Sequence, residues 1–448
     1  MDVFSIGVLY IGSALLLLLS GIPIAFALGG VAVAFMFLFM PPSNIQIIAE
    51  TLYSELHNFT LLAIPLFILM GSAVGKTRAS VDLYEAMHRW FSRLPGGLGV
   101  ANVAGCSIFA AMCGSSPATC AAIGGMGIPE MRKRGYPAGL ASGLIAAGGT
   151  LGILIPPSVT LIIYGIIVEQ SIGQLFLAGV IPGFLLAFLF AVWVVFASLW
   201  NKRRVLAVLG AHRAKELFGD ERFTWRELLE TLPRLLPFLG LIVFVMVALY
   251  GGFATPSEVA AVGAFGALAL VAILYKVYKW ENIKGILSGT ARESCMIMMI
   301  ITMAFLFTYV MSYLHISQSA TEWLVGLHLS KWAYLFWVNI LLLVLGCFLP
   351  PVAIILMVTP VIMPGILAHG FDPIWFGILM TINMEMGLIT PPVGLNLFVI
   401  NGIAPDIHFR EIMRGVMPFI AIMALYIVLL AMFPEIVMWL PKLLGFAG

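Results

Sequence analysis

The sequence predicts an all-α polytopic membrane protein built from two inverted-topology repeats. Of its 448 residues, 62% are hydrophobic and 10% are charged, and the mean hydropathy is +1.08. A water-soluble chain of this length could not bury so large an apolar fraction. The net charge of +2 gives no reason to expect a nucleic-acid partner. Two similar segments with double prolines, residues 151–158 and 386–394, lie about 235 residues apart and predict the repeat.

Apolar stretches divide the chain into about ten transmembrane helices and two re-entrant hairpins. The hairpins are expected at about 98–129 and 333–366, and each is interrupted by glycine and proline. The arms of the first are shorter than the roughly 20 residues that a full crossing needs. The arms of the second are less clearly short, and two full crossings would give the same topology. The ten predicted spans are residues 4–20, 22–40, 58–75, 138–168, 173–200, 235–251, 256–275, 294–313, 374–403 and 416–440.

The basic residues predict the orientation of these spans. With the N-terminus outside, 21 of the 23 lysines and arginines fall on the cytoplasmic side, and only Lys331 and Lys442 fall outside. Both termini are then periplasmic, and the two halves have opposite orientations. We therefore predict a first repeat over residues 1–204, a cytoplasmic linker over 205–234 and a second repeat over 235–448.

Two amphipathic stretches, residues 80–94 and 317–331, precede the hairpins. Their pattern predicts helices that lie in the membrane interface and join a fixed part to a moving part. Loops on the membrane surface are the alternative. Elsewhere, Gly139 and Gly143 are spaced by four residues, which predicts a close approach to another helix.

The double prolines predict a broken helix in each half, at about 138–168 and 374–403. Proline lacks an amide donor and clashes with the preceding turn, so neither segment can be an unbroken helix. A break inside a bilayer is tolerated where the freed backbone is buried or lines a cavity. Paired breaks therefore point to a transporter binding site, although structural kinks are the alternative.

Polar groups beside the hairpins and breaks form the candidate site. Hydroxyls, carbonyls and half-helix C-termini can bind sodium without a carboxylate, whereas half-helix N-termini offer amides to an anion. A polar turn between packed helices is the alternative. The cation-binding candidates are Gly114, Ser115, Ser116, Thr119, Gly152, Pro156, Pro350, Pro351, Thr390, Pro391 and Gly394. The substrate-binding candidates are Ser116, Pro117, Pro157, Ser158, Pro392 and Asn396.

Three acidic residues near or within the spans have different interpretations. Glu385 lies at membrane depth and is a functional candidate by default, although it could instead pair with a polar neighbour or stay protonated. Glu258 lies near a helix start, where capping is expected. Glu293 and Arg292 are expected to pair at the cytoplasmic edge. The segment 71–77 resembles a phosphate-binding loop, but its glycines are separated by three residues where the motif needs four.

Several motifs resemble one transporter family. They are Ala63-Ile64-Pro65-Leu66-Phe67 and the segments 114–119, 128–136, 146–158 and 387–399. Over nearly its whole length the chain resembles the large membrane subunit of tripartite ATP-independent periplasmic (TRAP) transporters, of the DctM type.

The resemblance implies a sodium-coupled secondary transporter of the bacterial inner membrane that imports organic acids. It also implies an elevator, in which a transport domain carrying the hairpins slides against a scaffold. The implied partners are a separate small four-helix membrane subunit and a periplasmic substrate-binding protein. No cofactor other than sodium is expected. A stand-alone sodium- or proton-coupled anion symporter is the alternative. An intramembrane enzyme would need a nucleophile–base pair or paired aspartates at depth, which the sequence lacks.

Overall fold

The computed structural model describes residues 2–217, 223–326 and 328–445. These residues form helices and connecting turns without a strand, which confirms the all-α fold. Residues 218–222, within the predicted linker, lie outside the described residues. Residues 1, 327 and 446–448, which belong to the predicted repeats, also lie outside the described residues. Residue 327 is part of the second amphipathic stretch as well.

The described residues of the first half form ten α-helices. They are α1 (Val3–Leu19), α2 (Ile24–Phe39), α3 (Ile47–Leu56), α4 (Ala63–Gly75), α5 (Ala79–Phe91), α6 (Gly97–Cys113), α7 (Ser116–Lys133), α8 (Ala138–Leu154), α9 (Val159–Ile167) and α10 (Ile172–Leu217). Short 3-10 helices precede α3 and α4. Helix α10 continues into the range predicted as a linker.

In the second half, eleven α-helices lie within the ranges that the structure describes. They are α11 (Trp225–Leu229), α12 (Leu232–Tyr250), α13 (Pro256–Tyr275), α14 (Trp280–Tyr313), α15 (Ile316–Gly326), α16 (Lys331–Gly346), α17 (Pro351–Ala368), α18 (Pro373–Leu388), α19 (Leu395–Ile403), α20 (Phe409–Met432) and α21 (Glu435–Leu443). Helices α5 and α15 occupy much of the two amphipathic stretches, so the loop alternative is wrong there.

Helix length and composition support membrane insertion. Among the described helices, six are long and apolar enough to cross a membrane, or eight if each of two bent pairs is one span. Four shorter apolar helices are α1, α2, α6 and α16. The number of ten spans stays a prediction.

Local sequence chemistry explains where individual helices begin. Thr255 caps α13: its hydroxyl accepts from the Glu258 amide at 3.4 Å, and the Glu258 carboxylate accepts from the Thr255 amide at 2.8 Å. This reciprocal pair satisfies amides that have no partner within the helix. It confirms the capping role expected for Glu258.

Helices of the two halves pack against each other in reciprocal pairs. Helix α2 packs on α14, and α4 packs on α13; α8 packs on α20, and α10 packs on α18; α7 packs on α19, and α9 packs on α17. The crossing of α8 and α20 uses glycines. A Cβ atom on Gly143 would overlap the backbone of Gly415, which confirms the close approach predicted from the glycine spacing.

Candidate ion and substrate site

The first tip, residues 114–117, joins the two arms α6 and α7. Gly114 ends α6 with φ +61°, a left-handed conformation that glycine adopts without strain. An ideal Cβ on Gly114 would lie 2.9 Å from the Pro157 carbonyl oxygen, and one on Gly152 would lie 2.8 Å from the Ser115 oxygen. The tip therefore lies directly against the interruption between α8 and α9.

This interruption, residues 155–158, is the first break. Helices α8 and α9 are bent by 44° relative to each other, and the Pro156–Pro157 peptide bond is cis. Neither proline can donate a backbone hydrogen bond, so the helix cannot continue through them. It restarts at Ser158, whose hydroxyl accepts from the Leu161 amide at 3.3 Å.

The second tip, residues 347–350, meets the second break, residues 389–394, in a similar way. The Gly394 amide donates to the Cys347 carbonyl at 3.2 Å, and Gly394 has φ +61°. A Cβ on Gly346 would lie 3.2 Å from the Gly387 Cα. The Thr390 hydroxyl donates back to the Met386 carbonyl at 2.6 Å. Each tip thus contacts the break of its own half.

A cavity of about 720 Å³ lies between the two tips and helices α2, α4 and α14. Its wall is mostly apolar, with polar groups from Ser72, Lys76, Thr160 and Glu293. The predicted site residues on this wall are Gly114, Ser115, Pro117, Pro350 and Pro351. The cavity is therefore bordered by both hairpin tips.

Sequence reasoning missed Lys76 and Glu293, which it assigned to the cytoplasmic surface. Helix α4 approaches the first tip so closely that a Cβ on Gly71 would lie 2.8 Å from the Cys113 Cα. Lys76, at the end of α4, therefore lies beside the cavity, where its ammonium donates to the Gly285 carbonyl at 2.7 Å. The signal available in the sequence was a lysine ending a helix with two glycines four residues apart.

The remaining candidates lie around the breaks, away from the cavity wall. Ser116 donates to the Glu385 carboxylate, and Thr119 donates to the Ser115 carbonyl at 2.8 Å. The Asn396 amide donates to the Ala146 carbonyl at 3.4 Å, and its oxygen has no partner among the described residues. Buried with them are Gly152, Pro156, Pro157, Ser158 and Gly394, whereas Thr390 and Pro391 are half-buried and Pro392 is exposed.

An ion pair joins the far end of the first hairpin to the second half. Arg132, in the last turn of α7, donates to the Asp406 carboxylate in the loop after α19. This hydrogen bond holds the pKa of the Asp406 carboxyl below its usual range. Both side chains are exposed, so the pair contributes little to stability.

Comparison with known proteins identifies the family. The model of the family described as "Tripartite ATP-independent periplasmic transporter, DctM component" matches residues 11–436. The chain belongs to this family. The resemblance found in the sequence is thereby confirmed, and the protein is a multi-pass TRAP transport protein rather than an enzyme.

Relatives of this DctM component cover nearly its whole length. The C4-dicarboxylate TRAP large permease protein DctM of Pseudomonas aeruginosa is 36% identical, over 93% of this chain and 94% of that protein. The protein of the same name in Rhodobacter capsulatus is also 36% identical, over 97% of this chain and 98% of that protein. The sialic acid large permease protein SiaM of Vibrio cholerae is 31% identical, over 95% and 96%.

A solved structure supports the fold of this DctM component. The YdaH transporter of Alcanivorax borkumensis aligns with a TM-score of 0.60, over 88% of this chain and 90% of that one. The two sequences are only 13% identical, so the likeness concerns the fold alone.

Proposed function

We propose that this DctM component imports organic carboxylates together with sodium ions, binding both between the two hairpin tips. The observation that carries the proposal is the cavity of about 720 Å³ bordered by residues of both tips. Broken helices around a cavity are the arrangement that secondary transporters use for substrate and coupling ions. The names of the relatives, which include C4-dicarboxylates and sialic acid, favour an organic anion as the cargo.

The cavity wall suits an anion. Helices α7 and α17 begin at the two tips, and neither has a side-chain cap on its first amides. Uncapped N-termini carry partial positive charge and attract carboxylates. Lys76 adds a full positive charge to the wall, where Glu293 is the one acidic group among the lining residues and partly offsets it.

The two junctions between tip and break suit sodium. At the first, the Pro157 carbonyl lies against Gly114 and the Ser115 carbonyl lies against Gly152; at the second, the Cys347 carbonyl lies beside Gly394. Unwound carbonyls and half-helix C-termini are the usual sodium ligands in such folds. Two sodium ions moving with a dianion cancel electrically, so a tenfold gradient would supply roughly 2.8 kcal/mol, or about 100-fold accumulation.

The transport cycle that fits this arrangement is an elevator built on two inverted repeats. In this proposal α6–α10 and α16–α20 carry the site, whereas α1, α2, α4 and α12–α14 form the scaffold. Helices α5 and α15 join the two parts. The reciprocal packing supports the repeat, because each pairing has a counterpart with the halves exchanged.

The partners follow from the tripartite name of the family. We expect a small membrane subunit and a periplasmic substrate-binding protein in the bacterial inner membrane, with both termini of this chain periplasmic. The test is uptake of a labelled C4-dicarboxylate or sialic acid into proteoliposomes holding both membrane subunits, with the binding protein outside. An inward sodium gradient should drive uptake that requires the binding protein. Equal uptake without sodium, or by this chain alone, would contradict the proposal.

A further inference from the structure

Glu385 is the one charged side chain among the buried described residues, with 1% of its surface exposed. It lies in the last turn of α18, just before the second break. No lysine, arginine or histidine forms an ion pair with it in the described part of the chain. A buried polar group without a partner is strongly unfavourable, so the single hydrogen-bond partner of Glu385 among the described residues is important to its role.

That partner is Ser116 in the other half of the protein, 269 positions away. The Ser116 hydroxyl lies 2.7 Å from each of the two Glu385 carboxyl oxygens, and Ser116 is fully buried. Its neighbours Ser115 and Pro117 line the cavity on either side of it. Glu385 therefore holds the first tip through Ser116, which lies in the middle of the tip.

The first tip is otherwise held by its packing on the first break and by local hydrogen bonds: the Gly114 amide donates to the Ala110 carbonyl, and the Thr119 amide and hydroxyl donate to the Ser115 carbonyl. Gly114 and Ser115 separate α6 from α7, and α7 begins without a side-chain cap. Among the described residues, the bond to Glu385 is the only hydrogen bond of the Ser116 side chain. Rotation of the tip would move Gly114 relative to the Pro157 carbonyl and the Ser115 carbonyl relative to Gly152, and these contacts border the first proposed sodium site.

We propose that Glu385 is a positioning residue: through Ser116 it holds the first tip against the first break and so sets the sodium affinity of that site. Because Glu385 belongs to the second broken helix, the contact also makes the first sodium site dependent on the second half. This inference rests on the proposed sodium-coupled transport. It requires hydrogen bonding from residue 385 rather than its charge.

The test compares Glu385→Gln, Glu385→Ala, Ser116→Ala and the double alanine variant in the complete reconstituted transporter. The half-saturating sodium concentration and the substrate KM are measured separately. Glutamine keeps a donor and an acceptor for the serine hydroxyl. The half-saturating sodium concentration of Glu385→Gln should therefore stay within about threefold of wild type. Each single alanine variant should raise it about tenfold or more. The double variant should be no worse than the poorer single one, since both remove the same bond.

A matched control is Glu130→Gln on the same helix α7. Glu130 lies at the far end, where it pairs with Lys133 at 2.8 Å on the surface. Its replacement should leave both measurements unchanged. If Glu385→Ala fails to fold, Ser116→Ala and Glu385→Gln carry the test, because the alanine variant removes the hydrogen bond and the glutamine variant keeps it.

Three results would overturn the inference. If Glu385→Gln is as impaired as Glu385→Ala, the carboxylate charge is needed and Glu385 binds the cation itself. If the effects of Glu385→Ala and Ser116→Ala add, the two residues act independently. If the half-saturating sodium concentration is unchanged in both alanine variants, the hydrogen bond does not set the sodium affinity. If uptake by the wild-type transporter does not depend on sodium, the proposed function itself is wrong. Failure of the proposed function can therefore be distinguished from failure of this inference.

Discussion

Replacing Gly114 by alanine tests the contact between the first tip and the first break. Gly114 has φ +61°, and its Cβ would lie 2.9 Å from the Pro157 carbonyl oxygen. A left-handed alanine costs about 1–2 kcal/mol, and the close contact adds to this because a backbone oxygen cannot rotate away. A penalty of about 1.4 kcal/mol is already tenfold in an equilibrium. We therefore expect the half-saturating sodium concentration to rise at least tenfold.

Alanine variants of two other glycines distinguish the effect of backbone strain from the effect of the steric clash. Gly370 has φ +70° with nothing within 4 Å of its Cβ, so Gly370→Ala carries the backbone strain without the clash. Gly125, in α7, has neither a positive φ nor a neighbour within 4 Å. The assay is sodium-dependent uptake in proteoliposomes, together with thermal unfolding of each variant. Gly370→Ala should lower stability but keep sodium affinity, and Gly125→Ala should resemble wild type. Sodium affinity of Gly114→Ala equal to that of Gly125→Ala would refute the reasoning.

Three further outcomes are expected. Lys76→Gln should raise the KM for an anionic substrate several-fold and leave sodium activation intact, whereas Lys76→Arg should keep the KM; equal KM values would remove Lys76 from the anion's surroundings. Gly415→Ala should prevent α8 and α20 from packing and markedly lower the unfolding temperature, while Gly402→Ala, with open space around its Cβ, should not. Thr255→Ala should destabilise the protein by about 1 kcal/mol, and Thr255→Ser should restore it, as thermal unfolding would show.

The all-α membrane fold was predictable because its signals are local. Apolar composition reports membrane insertion, and the two double prolines interrupt their helices through missing amides and steric clash, whatever surrounds them. The capping box at Thr255 is likewise written into four consecutive residues. The glycine spacing predicted that another helix approaches closely at Gly143, but it did not predict that the partner is Gly415.

Contacts between the two halves were not predictable from the sequence. Ser116 was expected to contribute to a cation site, but its hydroxyl donates to Glu385 because the end of α18 lies beside the start of α7, a placement that the sequence does not give. The depth of Lys76 depends on how α4 packs: the spacing of Gly71 and Gly75 favours a close approach, but it does not tell that the partner is the first tip. Glu385 stood out by its type and depth, yet its partner lies 269 positions away.

A structure determined in lipid nanodiscs with saturating sodium and a bound carboxylate would test the central claim most directly. We expect the carboxylate in the cavity between the two tips, with one cation beside Gly114 and another beside Gly394. A carboxylate bound outside that cavity, or junctions free of ions at saturating sodium, would contradict the account.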